Sequence, residues 1–178
     1  MIMEKTRYSE WIDNSIGLMH IEMLLVGNAQ GLGILDVDLI EEFTKLKINS
    51  QLDEDRLKKL RHITLSELWV MGAYELIRLI NEINKQRNFL KENTKEKLKK
   101  TLTIFTEVRI PLTKFQKQGK EKRLYSKIAT KNIFDPYKGV GWNFYDGKNK
   151  EIFYRKDLGD LFLELLKEIK NDVLGSAQ

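Results

Sequence analysis

The chain has no cysteine, only two histidines (His20 and His62) and only two prolines (Pro111 and Pro136). Without thiols there is no disulfide framework and no thiolate metal site, and a reducing compartment is the expected setting. So few histidines exclude a histidine-rich metal centre, and no metal or cofactor is expected. No uninterrupted apolar run approaches the roughly 20 residues that span a bilayer. The opening "MIMEKTRYSEW" lacks the basic-then-apolar layout of a secretory signal. The expectation is a cytoplasmic protein with no membrane segment. No phosphate-cradling P-loop, dinucleotide-binding glycine signature or paired-histidine zinc motif is present. "GLG" at 31–33 follows a helical stretch rather than a strand and reads as a helix terminator. Nothing marks a nucleophile elbow, and Asp36, Asp38, Glu41 and Glu42 read as helix-start charges rather than a carboxylate metal site.

What is present fits a globular chain. The 178 residues are 42% hydrophobic and 32% charged, enough for one domain, 1–178, with its own core. The bias toward lysine, isoleucine and asparagine points to a prokaryotic source. The formal net charge of +5 is unevenly placed: residues 85–131 hold 15 Lys/Arg against 4 Asp/Glu, whereas residues 1–84 hold 9 against 14. A basic block of this kind attracts phosphate-rich partners by counterion release, or forms a solvated face.

Helical periodicity dominates. Trp11, Ile12, Ile16, Met19, Met23 and Val26 predict a helix from Tyr8 to about Val26, stopped by Gly27, Asn28, Gly31 and Gly33. A second helix is predicted from Asp36 or Asp38 through Leu46, followed by a turn or two over 53–62. Thr64 and Glu67 form a capping box, with Ile63 and Leu68 as its hydrophobic staple, ahead of a central helix over 64–86. Its expected core includes Leu68, Leu76 and Ile80, and Gly72 is expected to admit a neighbouring helix. Asn93 is the predicted N-cap of the next helix, and Pro111 predicts a kink or fresh start within it. Residues 117–127 read as a loop or frayed helix. "GVGWNFY" and "EIFYR" flank "DGKNK" and predict a β-hairpin turning at Asp146-Gly147. Asp157 then caps a final helix. The expected fold is mainly α: a helical bundle with a C-terminal β-hairpin, an appendage at about 139–155, followed by a closing helix.

One stretch carries candidate chemistry. "FTEVRIPLTKF" (105–115) sets Phe105, Val108, Leu112 and Phe115 on one helical face, with Arg109 beside them and Lys114 five residues later. Helices so arranged, ending in this one, resemble the HEPN superfamily of small all-α proteins. Many HEPN members are metal-independent ribonucleases of toxin–antitoxin, abortive-infection and CRISPR-linked systems. Their motif is an arginine, usually followed by a polar residue, with a histidine four to six positions later. Arg109 matches the arginine; Lys114 stands where the histidine is expected, Ile110 replaces the polar residue, and Pro111 is an added departure. A literal arginine–histidine match occurs at Arg56 and His62, but it precedes the central helix, where the resemblance places the motif after it. It ranks second.

Cleavage of RNA by its own 2′-hydroxyl needs a group titrating near neutrality and a cation for the developing phosphorane charge. Arg109 supplies a guanidinium suited to bidentate phosphate contact. Lys114 acts as a base only if its pKa is strongly depressed. The resemblance thus implies RNA binding, with Lys97, Lys100, Lys117, Lys122 and Arg123 as phosphate contacts, and weak or no nuclease activity; whether the chain is an enzyme stays open. A homodimer is expected. The alternative is a non-catalytic helical protein-interaction module, assembling through the hairpin aromatics Trp142, Tyr145 and Tyr154, since alternate strand residues face opposite ways. DNA binding through 36–62 is a third reading, with no basic recognition helix to support it.

Overall fold

The computed structural model describes residues 2–113, 128–145 and 150–175. Among the described residues, five α-helices and a three-stranded antiparallel sheet follow in the order α1 (Ile2–Ser15), a 3-10 turn (Ile16–His20), α2 (Met23–Thr44), α3 (Asp53–Arg87), α4 (Glu92–Thr113), β1 (Ile128–Asp135), β2 (Gly139–Tyr145), β3 (Lys150–Tyr154) and α5 (Arg155–Gly175). The mainly helical bundle with a sheet and a closing helix is the architecture expected from the periodicity.

The boundaries differ near the N-terminus, for tertiary reasons. The predicted first helix is broken at Ser15 because Gly17 passes against α5: a Cβ there would lie 2.5 Å from the Lys170 Cα. The glycines expected to stop a helix instead lie inside α2, and the predicted helix from Asp36 is its second half. Gly33 is required there, since a Cβ would come within 2.5 Å of the Trp11 ring. Each helical glycine costs about 1 kcal/mol relative to alanine. Burial of Leu25, Ala29, Leu39 and Phe43 on one side of α2 outweighs that cost. By length and composition α2 is also apolar enough to cross a membrane, contrary to expectation. Here its buried face packs on α1 and α3, and its Asp36 is charge-paired within the chain.

The 35-residue α3 starts eleven residues before the predicted capping box, so Thr64 and Glu67 lie in its interior. Asp53, Glu54 and Asp55 in its first turn complement the helix dipole, and Asn88 ends it in the left-handed conformation. Its buried stripe runs through Ser66, Trp69, Val70, Ala73, Ile77, Ile80 and Asn84, with Leu76 alongside. Leu68, expected in the core, is 53% exposed. Two apolar stripes compete on this helix, and the one bearing Trp69 faces the bundle. Gly72 does admit a neighbour: its Cβ position is 3.1 Å from Leu32 of α2. Asn93 lies within α4 rather than capping it, and Pro111 falls in the last turn of α4 instead of opening a new helix.

Trp11, Trp69, Phe105 and Phe162 join α1, α3, α4 and α5, with successive ring centroids 5.5–6.4 Å apart. The edge-on geometry of the Trp11 contacts is the favoured arrangement for aromatic pairs. In the sheet, β2 is central, flanked by β1 and β3. The predicted pairing of β2 with β3 is present, with Trp142 opposite Phe153, while the turn at Asp146-Gly147 lies outside the described residues. Strand β1 was not foreseen, because "ATKN" offers no apolar alternation. It turns into β2 through Asp135, whose carboxylate accepts from the amides of Tyr137 and Lys138, and through Gly139 at φ +77°. Asp157 sits in the third position of α5 and pairs with Lys138 at 2.8 Å, bracing this turn.

Candidate functional site

Arg109 projects from α4 toward α3. Its guanidinium carbon lies 4.5 Å from the Tyr74 ring centroid, and Nη2 lies 3.9 Å from the Glu75 carboxylate. The side chain is 31% exposed, so the cation is oriented by an aromatic face and an acid while still reaching water. Residues of α3 thus hold the head of the side chain. Tyr74 and Glu75 had not been singled out; Arg78, three residues after Glu75 and four after Tyr74, bridges Glu75 and Glu82 at 2.8 and 2.6 Å and is the sequence signal of a charged outer face on α3. Lys114 lies outside the described residues, as do Lys117, Lys122 and Arg123.

The literal pair does not converge. Arg56 is exposed and 3.7 Å from Asp53. Six residues on, His62 points about 120° away around the same helix, roughly 9 Å along it, and is 1% exposed. Burial, reinforced by the nearby Arg155 charge, holds the imidazole down at a pKa of about 4. Its Nδ1 has no hydrogen-bond partner, the nearest carboxylate oxygen being that of Glu42 at 3.8 Å. A neutral, enclosed imidazole is not presented to a substrate alongside Arg56.

Of the described basic residues, Lys97 is committed to α5: its ammonium donates to Glu168 at 2.6 Å and Glu164 at 3.1 Å. Lys100 is exposed. Among the hairpin aromatics, Trp142 is fully buried, Tyr154 is half-buried over Gly141, and Tyr145 is 46% exposed. Of these three, Tyr145 is the most exposed.

The larger surface features lie elsewhere. A groove of about 540 Å³ runs between α2 and α3, floored by Gly31, Leu32, Leu35, Gly72 and Leu76 and edged by Glu75. Leu24, Leu68 and Leu79 add exposed apolar surface beside it, and Gly27 and Gly31 face open space. Joining α1, α2 and α5 is a charge cluster with no local sequence signature. Asp36, fully buried, accepts from Arg7 Nε at 2.6 Å, from Trp11 Nε1 at 2.9 Å and from Arg155 Nη1. Arg7 also reaches Asp160 at 2.5 Å. Burial alone pushes the Asp36 carboxyl up, but Arg155 and Arg7 outweigh it and hold the group below its ordinary value. Among the described residues no cluster of three or more metal-ligating side chains occurs. Comparison with family models, curated proteins and solved structures returns no match.

Proposed function

We propose that this chain is a HEPN-like RNA-associated protein of a prokaryotic defence or toxin–antitoxin type, binding RNA with weak or no nuclease activity. The observation that carries this reading is the posture of Arg109. A half-exposed guanidinium fixed over Tyr74, on the helix that leads into the basic segment, is suited to a phosphate oxygen. The same geometry argues against efficient cleavage. His62 is sealed and neutral, so the described candidates offer the cation without a partner titrating near pH 7. Lys100 and the basic residues after 113 extend the positive run that a polyanion would follow.

The test combines fluorescence anisotropy on a mixed-sequence RNA with a metal-free cleavage assay, for wild type and Arg109→Ala. Saturable, salt-sensitive binding weakened by Arg109→Ala, with little cleavage, is the expected result. No RNA affinity at low salt overturns the proposal. Robust cleavage abolished by Arg109→Ala leaves the RNA association standing and overturns the limit on nuclease activity.

A second reading is favoured by the α2–α3 groove: a non-catalytic interaction module, with a second copy as its partner. Here the contact surface is Leu24, Leu68 and Leu79 rather than the hairpin aromatics. Asn28, in the groove wall, carries both a donor and an acceptor and can pair with its own symmetry mate across a twofold axis. Sedimentation of wild type against Leu24→Glu distinguishes this reading, since a monomer in both excludes it.

A further inference from the structure

Two consecutive residues of α3 act on Arg109 in opposite senses. The Tyr74 ring centroid lies 4.5 Å from the guanidinium carbon, and the ring is half-buried against the core, so the bundle fixes its place. An aromatic face attracts a guanidinium without accepting from the N–H donors at its edge. Glu75 is anchored on its own helix: Oε2 accepts from Arg78 Nε at 2.8 Å, and Arg78 donates in turn to Glu82 at 2.6 Å. Its other oxygen, Oε1, faces Arg109 Nη2 at 3.9 Å, an ion pair too long for a hydrogen bond. Both side chains reach water, Glu75 at 50% and Arg109 at 31% exposure, so the attraction between them is screened and displaceable. A phosphate oxygen that closes on Arg109 gains a charge-assisted hydrogen bond, but brings its own charge beside the Glu75 carboxylate. Like charges about 4 Å apart in water lower a binding constant about fivefold.

We propose that Tyr74 and Glu75 are positioning residues of opposite sign for the phosphate contact of Arg109: the Tyr74 ring orients the guanidinium, and the Glu75 carboxylate competes with RNA for it. This rests on the RNA-binding reading and adds two residues to it. Removing the acid therefore strengthens binding, and removing the ring weakens it, although neither side chain carries a charge that attracts phosphate. Arg78 belongs to the same device, because it holds Glu75 in place rather than offering its own cation to the ligand.

The test is fluorescence anisotropy of the full chain with a mixed-sequence RNA at two ionic strengths. Glu75→Gln should tighten binding about fivefold at low salt, and the gain should shrink as added salt screens it. Glu54→Gln, which removes the same charge about 30 Å away along α3, should bind as wild type. Tyr74→Leu should weaken binding about two- to fivefold, and Tyr74→Phe, which restores the ring without the hydroxyl, should recover it. In an Arg109→Ala background both effects should largely vanish, since each acts through that guanidinium. Wild-type affinity in Glu75→Gln or in folded Tyr74→Leu, or effects that persist undiminished without Arg109, overturn the proposal and leave RNA association standing. No RNA affinity in the wild-type chain overturns both. If circular dichroism shows Tyr74→Leu unfolded, Glu75→Gln, at a half-exposed position, decides alone.

Discussion

Replacing Asp36 tests the most consequential interaction in the bundle. Its carboxylate is fully buried and joins three separate parts of the chain, with Trp11 and Arg7 on α1 and Arg155 at the start of α5. Asp36→Asn keeps the shape but removes the charge that neutralises Arg155, which is nearly as buried. Breaking a buried ion pair from one side costs about 3–5 kcal/mol, because it strands the partner charge. Arg7 retains Asp160, so the Arg155 loss dominates and the expected cost is about 3 kcal/mol at pH 7, at the low end of that range. Urea unfolding followed by circular dichroism should show this as a lower midpoint with an unchanged slope. The pH profile supplies an independent check. Because the folded-state pKa of Asp36 is lowered, its contribution is present above the unfolded value near 3.9 and is lost as pH falls through the folded value. Wild type should therefore lose stability below about pH 4 more steeply than Asp36→Asn. Replacing the whole group, Asp36→Leu with Arg155→Met and Arg7→Met, should recover much of the loss, since apolar packing can substitute for a buried ion network. An Asp36→Asn variant within about 1 kcal/mol of wild type, with the same acid profile, refutes the reasoning.

Other consequences follow from particular side chains. His62 has a lowered folded pKa of about 4, so its contribution is complete above the unfolded value near 6.5 and is lost as pH falls between the two; His62→Leu should flatten the stability profile over that window, by on the order of 2–3 kcal/mol. Gly27→Ala, with open space around its Cβ position, should stabilise by about 0.5–1 kcal/mol, whereas Gly33→Ala, driven into Trp11, should destabilise by at least about 1–3 kcal/mol in the same thermal melts. Leu76→Ala, in the buried part of α3, should cost about 2–5 kcal/mol by urea unfolding. If the basic segment binds RNA, Lys100→Gln, Lys117→Gln and Lys122→Gln together should lower the salt slope of binding by about 0.7 per lost contact, while Lys97→Gln alone should change little, because Glu164 and Glu168 already hold its ammonium.

Elements whose signals are local were legible in advance. The long apolar period of α3, the β2–β3 hairpin and the leucine stripe of α5 emerge from spacing alone, because each forms from neighbours a few residues apart. Errors arose where a distant contact decides. Gly27 and Gly31 look like stops, yet α2 runs through them because its other face is packed. On α3 two apolar stripes satisfy helical spacing equally well, and only the position of Trp11 and Phe105 determines that Trp69 is the inward one. Leu68 was assigned to the wrong stripe for that reason.

The same logic explains why functional candidates were harder to read than the fold. Arg109 and His62 stood out in the sequence by analogy of spacing, but spacing says nothing of enclosure, and enclosure is what separates them: one cation reaches water over Tyr74, and the imidazole is sealed and neutral. Conversely, the residues that lean most on one another carry no spacing signal. Arg7, Asp36 and Arg155 are separated by 29 and 119 positions, and each by itself looks like an ordinary surface charge. A single clue was available: Asp36 is flanked at helical spacing by Leu32, Leu39 and Ile40, so it had to lie near the apolar face of any helix containing it. A carboxylate held there requires a buried cation, and Arg155, directly after the aromatic run of β3, was a position from which one could enter the core. Placing that guanidinium on Asp36 is also what brings the first turn of α5 against His62 and Lys138.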